Sequence, residues 1–173
     1  ETGQFGVAAS RSIDGGATWG PPVRIADVDS SCAIRGFRAF PLPSAESETS
    51  GRVWAAWHSC EPGGPGNAVF VATSPDGAVW SAPSVVTRGR DAVLPAIGIE
   101  AATGRVAIAY MRSRTAGIDV ELVQSAPGGS RFGGARRLSA QSMRLEWMPR
   151  TTSGRMLADY ISVDYAGGRP LVV

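Results

Sequence analysis

The sequence has very few of the residues that build metal sites and nucleophile triads. In 173 residues it contains one histidine, His58, and two cysteines, Cys32 and Cys60. A single histidine excludes a histidine-cluster metal site and argues against a Ser-His-Asp triad within this chain. The two cysteines also lack metal-ligand spacing. The residue types therefore predict neither a metal site nor a cofactor.

Long apolar segments and strongly charged segments are missing too. No apolar run approaches the ~20 residues of a membrane span, and residues 1–4 are polar, so neither a membrane partner nor a signal peptide is predicted. The 17 basic and 15 acidic residues give a net charge of +2. Because neither sign is strongly clustered, no nucleic-acid surface is expected.

Turn-forming residues are abundant: the chain has 22 glycines and 12 prolines, and no segment has sustained helical periodicity. One turn is defined by Ser12, Asp14, Gly16, Thr18 and Trp19, between strand-like residues at 5–9 and 23–25. It is typical of the tip of a β-hairpin. We expect the Asp14 carboxylate to accept hydrogen bonds from its own turn, and Trp19 to pack between layers.

The same turn recurs along the chain. A second copy keeps Ser74, Asp76, Gly77 and Trp80, whereas a third, at 125–132, keeps the serine, a glycine pair and an aromatic residue but lacks the aspartate. A Gly-Arg pair before an apolar segment also recurs, at 51, 104 and 154, about 50 residues apart. Repeats of roughly 40–50 residues with several strands each are typical of a β-propeller.

We therefore predict an all-β chain that forms a single domain, 1–173, of propeller blades with four antiparallel strands. The predicted blades are 4–26 (partial), 37–87, 93–139 and 143–173 (partial). Their strands are predicted at 37–43, 52–59, 68–73 and 83–87, then at 93–101, 105–112, 117–124 and 135–138, and finally at 143–149, 156–163 and 168–173. Propellers close with about 4–8 blades. Either the chain is a fragment of a larger protein, or a second chain or second copy completes the ring.

The first turn, Ser12-x-Asp14-x-Gly16-x-Thr18-Trp19, resembles the Asp-box, or BNR repeat, of sialidases and sialidase-like propellers. Segments 38–44 and 158–164 are similar to blade openings in secreted bacterial members of that group. The resemblance implies a ring of six or seven blades. It also implies that Asp14 and Asp76 are structural residues at the blade periphery rather than catalytic ones.

Sialidases bind the substrate carboxylate with three arginines and use a tyrosine nucleophile, an assisting glutamate and an aspartate as acid/base. The resemblance offers four candidate catalytic residues: Arg38, Glu146, Tyr160 and Asp159. Three of them have a structural alternative: Arg38 as a surface or cross-blade arginine, Glu146 in an ion pair, and Tyr160 as a packed residue. Arg144 and Arg150, on either side of the predicted strand 143–149, are further candidates. We expect Glu100 and Glu121 at edges or in loops, and His58 to pack at a strand end.

Cys32 and Cys60 come close together if the strands at 37–44 and 52–59 pair as a hairpin. A disulfide would indicate an exported protein, and two free buried thiols are the alternative. The leading hypothesis is an exported, exo-sialidase-like glycoside hydrolase that takes a glycan substrate and supplies only part of its site. The rivals are a non-catalytic Asp-box propeller that binds carbohydrate or protein, and a purely structural repeat domain.

Overall fold

A computed structural model describes residues 5–87, 89, 91–157 and 159–173. The predictions about residues 1–4, and about Ala158 in the segment 158–164, fall on positions outside these residues. The predicted all-β class is confirmed: the described chain is built from antiparallel sheets. Its helices, within the described ranges, are two single 3-10 turns, Pro127–Gly129 and Leu145–Trp147.

The strands are β1 (Gly6–Ala9), β2 (Val23–Asp27), β3 (Ser44–Ser47), β4 (Val53–Cys60), β5 (Asn67–Ser74), β6 (Ser84–Val85), β7 (Ala92–Glu100), β8 (Arg105–Arg114), β9 (Gly117–Gln124), β10 (Arg136–Arg137), β11 (Arg150–Thr151), β12 (Gly154–Arg155), β13 (Val163–Ala166) and β14 (Arg169–Val172). β3 to β6 form one four-stranded antiparallel sheet in chain order, and β7 to β10 form another. β1–β2, β11–β12 and β13–β14 are two-stranded hairpins.

The two large sheets carry buried apolar side chains on both faces. Along β4, Trp54 and Trp57 point to opposite faces of the sheet, and both are buried. Trp57 packs against the hairpin β1–β2, while Trp54 packs against Ile108 of the sheet β7–β10. The far face of that second sheet packs, through Ala109, against Val163 of the hairpin β13–β14. Four layers are thus stacked face to face in the order in which the chain supplies them.

β7 lies beside both β3 and β13 in this stack. The Ile97 N–H donates to Ser44 Oγ at 3.3 Å, which links β7 to β3. On the other side, a methyl group at Gly98 would lie 2.6 Å from the carbonyl oxygen of Val163. Glycine at this position therefore allows the backbones of β7 and β13 to approach each other.

Three predicted strands are wrong, and all three segments carry candidate site residues. Segment 37–43 is not a strand, and β3 begins only at Ser44. Pro41 and Pro43 have no N–H to donate to a ladder. Apolar side chains of this segment are packed, but they belong to a loop. Phe37 lies in, and Leu42 packs against, an apolar cluster at the end of the second sheet. This end cluster consists of Phe37, Val93, Leu94, Met111, Ile118 and Met148.

Segments 143–149 and 156–163 are not strands either. The first contains the 3-10 turn Leu145–Trp147 and the second reaches a strand only at Val163, the start of β13. Met143 and Leu145 pack against the end cluster, of which Met148 is a member. Their apolar side chains thus line a loop that covers the end of the sheet.

Cys32 and Cys60 are joined in a disulfide, with their Cα atoms 5.5 Å apart. It fixes the connector after β2 to the last residue of β4. Asn67 Nδ2 strengthens the same junction by donating to the Cys32 carbonyl oxygen at 2.6 Å. A disulfide is compatible with an extracytoplasmic protein.

Candidate functional site

The first aspartate turn is held together by the side chains predicted for it. Asp14 Oδ1 accepts from the Thr18 N–H at 2.9 Å, and Asp14 Oδ2 accepts from the Thr18 hydroxyl at 2.5 Å. Ser12 Oγ accepts from the Gly16 N–H at 2.8 Å. The hydrogen bonds from Thr18, followed by the one from Ser12, lower the pKa of Asp14 to about 2. This carboxylate is occupied in shaping its turn.

The second turn repeats the arrangement around Asp76, which accepts from the Ala78 N–H at 2.9 Å. Arg11 Nη1 lies 3.9 Å from Asp76 Oδ2 and so connects the two turns. The tryptophans differ. Trp80 packs against the apolar cluster around Trp57, between the hairpin β1–β2 and the sheet β3–β6, but Trp19 is 65% exposed. The expectation that Trp19 packs between layers is therefore wrong.

The third turn lacks the aspartate and is held from the neighbouring sheet instead. Arg52 Nη2 donates to the Gly128 carbonyl oxygen at 3.1 Å. Gly129 lies so close to Trp54 that a methyl group there would be 2.4 Å from the indole. Trp54 in turn meets Phe132 edge to face, with ring centres 6.4 Å apart. Contacts between layers replace the missing carboxylate.

Of the four predicted catalytic residues, the structure brings Arg38 and Asp159 together. Arg38 Nη2 lies 3.2 Å from Asp159 Oδ2, and both side chains are mostly buried. Arg38 also donates to Met156 Sδ and stacks over the Phe40 ring at 4.9 Å. Its guanidinium is thus held by contacts within the protein.

The other two candidates lie apart from this pair. Glu146 is paired with Arg144, at 2.8 Å, and both side chains are more than half exposed. Tyr160 is 77% exposed. Within the described residues, no hydrogen bond connects the Tyr160 hydroxyl to Arg38, Glu146 or Asp159. Arg144 precedes the 3-10 turn and Arg150 begins β11, so they do not flank a strand.

A buried polar network that the sequence analysis missed lies between the two large sheets. Glu121 Oε2 accepts from the Tyr110 hydroxyl at 2.7 Å and from Arg112 Nε at 2.8 Å. Glu121 Oε1 accepts from Arg114. The expectation that Glu121 is an edge or loop residue is wrong, because it lies within β9 and is buried. The signal was available: Tyr110, Arg112 and Arg114 alternate along one strand and so share a face.

The pKa values of this network indicate a structural role. Burial alone would raise the pKa of Glu121, but the hydrogen bonds from Arg112, Tyr110 and Arg114 hold it below its ordinary value. Burial, followed by the bond to Glu121, raises the pKa of Tyr110 to about 12. Tyr110 has no exposed surface. A tyrosine that is sealed off and resists ionisation cannot attack a substrate.

The turn between β8 and β9 separates two open clefts, and Ser113, Arg114 and Thr115 line both of them. The first, which we call the arginine cleft, exposes Asp91 and the edge of the buried network. The second, which we call the tryptophan cleft, is bounded by the loop that carries Arg144, Glu146 and Trp147. Arginine side chains thus face both clefts, and Trp147 faces only one.

His58 fills the end of β4 and is almost fully buried. Its Nδ1 accepts from the Leu94 N–H at 3.2 Å, and its imidazole also hydrogen-bonds the backbone of Ala39. Burial lowers the pKa of His58 to about 4, against the smaller opposing effect of the Ala39 bond. At neutral pH it is an uncharged packing residue.

No protein-family model and no curated protein matches this chain. Across the described residues there is no group of three or more His, Cys, Asp or Glu side chains that could hold a metal ion. In the same ranges, no helix has the length and apolarity needed to cross a bilayer.

Proposed function

We propose that this chain is part of a sialidase-like Asp-box propeller that binds glycans without hydrolysing them. The observation that carries the choice is the separation of the candidate catalytic groups. Arg38 is paired with Asp159, whereas Tyr160 is exposed and, within the described residues, has no hydrogen bond to Arg38, Glu146 or Asp159. The tyrosine–glutamate pair that does exist, Tyr110 and Glu121, is buried.

Two features support the propeller part of the proposal. The sheets β3–β6 and β7–β10 are four-stranded meanders that pack face to face in chain order, as neighbouring blades do. In the turns around Asp14 and Asp76, a serine hydroxyl and an aspartate carboxylate two residues later both accept backbone N–H groups of their own turn, with donors at different spacings. Packing of β3, β7 and β13 side by side is the arrangement expected of innermost strands.

Arginine and aromatic side chains at the β8–β9 end of the second sheet support glycan binding. Guanidinium groups match carboxylates and hydroxyls by paired hydrogen bonds. Arg114 is half exposed at the wall between the two clefts. An acidic sugar is therefore a suitable ligand for this end of the molecule.

We further propose that additional blades, from a second chain or a second copy, complete the ring. The outer hairpin β13–β14 exposes Leu171, and the segment at the opposite end of the stack exposes Phe5 and Val23. Exposed apolar side chains on such hairpins favour association.

The test combines assembly state, binding and turnover on the same purified, disulfide-intact protein. Light scattering gives the particle mass, titration calorimetry with 3′-sialyllactose gives binding, and a fluorogenic α-sialoside reports hydrolysis. We expect binding, a particle larger than the 18.0 kDa chain, and no hydrolysis above the buffer rate. Hydrolysis that disappears in Tyr160→Phe would establish the enzyme alternative instead. Absence of saccharide binding by the assembled protein would refute the glycan-binding proposal.

A further inference from the structure

Trp147 is an exposed aromatic side chain in an otherwise polar cleft. It is 58% exposed and lines the tryptophan cleft, an open depression of about 750 Å³. This volume lies within the roughly 300–1,000 Å³ typical of small-ligand sites. The other side chains that line it are mostly polar: Ser113, Arg114, Thr115, Gln141, Ser142, Arg144 and Glu146.

The backbone beneath Trp147 is fixed before any ligand arrives. Trp147 N–H donates to the Arg144 carbonyl oxygen at 3.0 Å, and Met148 N–H donates to the Leu145 carbonyl oxygen at 3.1 Å. Arg155 Nη1 donates to the Met148 carbonyl oxygen at 2.7 Å. Leu145 and Met148 are anchored in the end cluster. The backbone that carries the indole is thus ordered, and Arg144 lies over the ring with its Cζ 6.0 Å from the ring centre, so less conformational entropy is lost on binding than for a mobile loop.

The surroundings of Trp147 favour a sugar over a protein side chain. Binding sites for proteins usually join several apolar and aromatic residues in one buried patch. Within the tryptophan cleft, as far as the structure describes it, Trp147 is the only large apolar side chain that is exposed. A pyranose has one flat face of C–H groups and a rim of hydroxyls, which suits an isolated ring surrounded by polar groups.

Resting on the proposed glycan-binding function, we propose that Trp147 is the stacking platform of a sugar subsite in the tryptophan cleft. Arg144 lies over one face of the indole, with its Cζ 6.0 Å from the ring centre, and the C–H face of a pyranose packs on the opposite face, which carries partial negative charge. The Arg144–Glu146 pair, 2.8 Å apart, offers donors and acceptors to the sugar hydroxyls on one side. Arg114 lines the opposite wall, and its guanidinium is paired with Asp119 and Glu121 but is half exposed. The exposed part suits a ligand with an acidic neighbouring sugar.

The test compares three single variants with the unchanged protein, using 3′-sialyllactose and lactose as probes. Trp147→Ala removes the platform, and Trp147→Phe keeps an aromatic ring. Trp19→Ala is the matched control, since Trp19 is similarly exposed but lies on the aspartate turn. Dissociation constants come from titration calorimetry, and saturation-transfer NMR identifies the sugar protons that touch an aromatic ring. Circular dichroism and unfolding midpoints verify that every variant is folded.

We expect Trp147→Ala to weaken 3′-sialyllactose binding about fivefold, because stacking on an aromatic ring is worth roughly 1 kcal/mol. Trp147→Phe should retain most of the affinity, and Trp19→Ala should bind as the unchanged protein does. Equal affinity of Trp147→Ala and the unchanged protein would overturn the platform while leaving glycan binding intact. If the unchanged protein binds neither probe, both the proposed function and this subsite are overturned.

Discussion

Protonation of His58, the single histidine, should destabilise the folded protein. His58 is buried, and its Nδ1 accepts from the Leu94 N–H at 3.2 Å. Leu94 has a positive φ of 52°, a conformation that costs an ordinary residue roughly 1–2 kcal/mol. Protonation at Nδ1 would remove the acceptor and place a charge in the core.

The size of the effect follows from the pKa of His58. Its value falls from 6.5 to about 4 on folding, so the unfolded chain takes up a proton at a pH at which the folded chain does not. Stability is therefore complete above pH 6.5 and is lost as the pH falls from 6.5 toward 4. At about 1.4 kcal/mol per pH unit, lowering the pH from 7 to 5 should cost about 2 kcal/mol.

The assay is urea unfolding at intervals between pH 7 and pH 5, with the disulfide intact. Since His58 is the only histidine, no other side chain of ordinary pKa titrates in this window. The control is His58→Asn, in which an amide oxygen can accept from Leu94 but cannot titrate. This variant should be less stable at pH 7 and should show almost no slope. If the unchanged protein and His58→Asn have the same slope, the reasoning about this residue is refuted.

Three other predictions concern the turns and the buried network. Gly129→Ala places a methyl group against the Trp54 indole, whereas Gly128, with a similar φ, has open space around it. The free energy of unfolding should therefore fall by about 1–3 kcal/mol more in Gly129→Ala than in Gly128→Ala, as measured by urea unfolding. Glu121→Ala removes the buried carboxylate that Tyr110, Arg112 and Arg114 share and should cost about 3–5 kcal/mol by the same assay, whereas a loss below 1 kcal/mol would contradict the burial. In an NMR titration of the carboxyl groups, the pKa of Asp14 should be near 2, and it should be higher in Thr18→Val. Since folding lowers this pKa, the stability that Asp14 contributes is lost only as the pH falls below about 4.

The sequence was informative wherever a local pattern had a single structural solution. The turns around Asp14 and Asp76 were predictable, since a serine, an aspartate and glycines at fixed spacing can satisfy one another within a few residues. Strand β9 was predicted at its observed bounds, 117–124, because its flanks carry turn residues. The all-β class follows from the same signals.

The candidate site was less predictable, because it depends on which loops cover the end of the second sheet. The apolar alternation at 37–43 and 143–149 indicated strands, but in the structure these side chains belong to two loops that pack on the end cluster. The partner of Arg38 proved to be Asp159, 121 residues later in the chain, and no local pattern encodes such a pair. Glu121 was missed because the alternation of Tyr110, Arg112 and Arg114 along β8 identifies Glu121 as their partner only once β8 and β9 are paired in register.

Stacking in chain order has a mechanical consequence. Each of the two large sheets contacts the layer before it and the layer after it, and each end hairpin contacts one large sheet. The described molecule is therefore a short one-dimensional array, in which stability is approximately a sum over neighbouring interfaces. As far as the structure describes the chain, the hairpin β13–β14 packs on one layer, the sheet β7–β10, where Gly98 allows Val163 to approach. Under load or mild denaturant it should detach first, while the two large sheets, each covered on both faces, stay joined. Unfolding of this chain would then proceed by peeling from its ends.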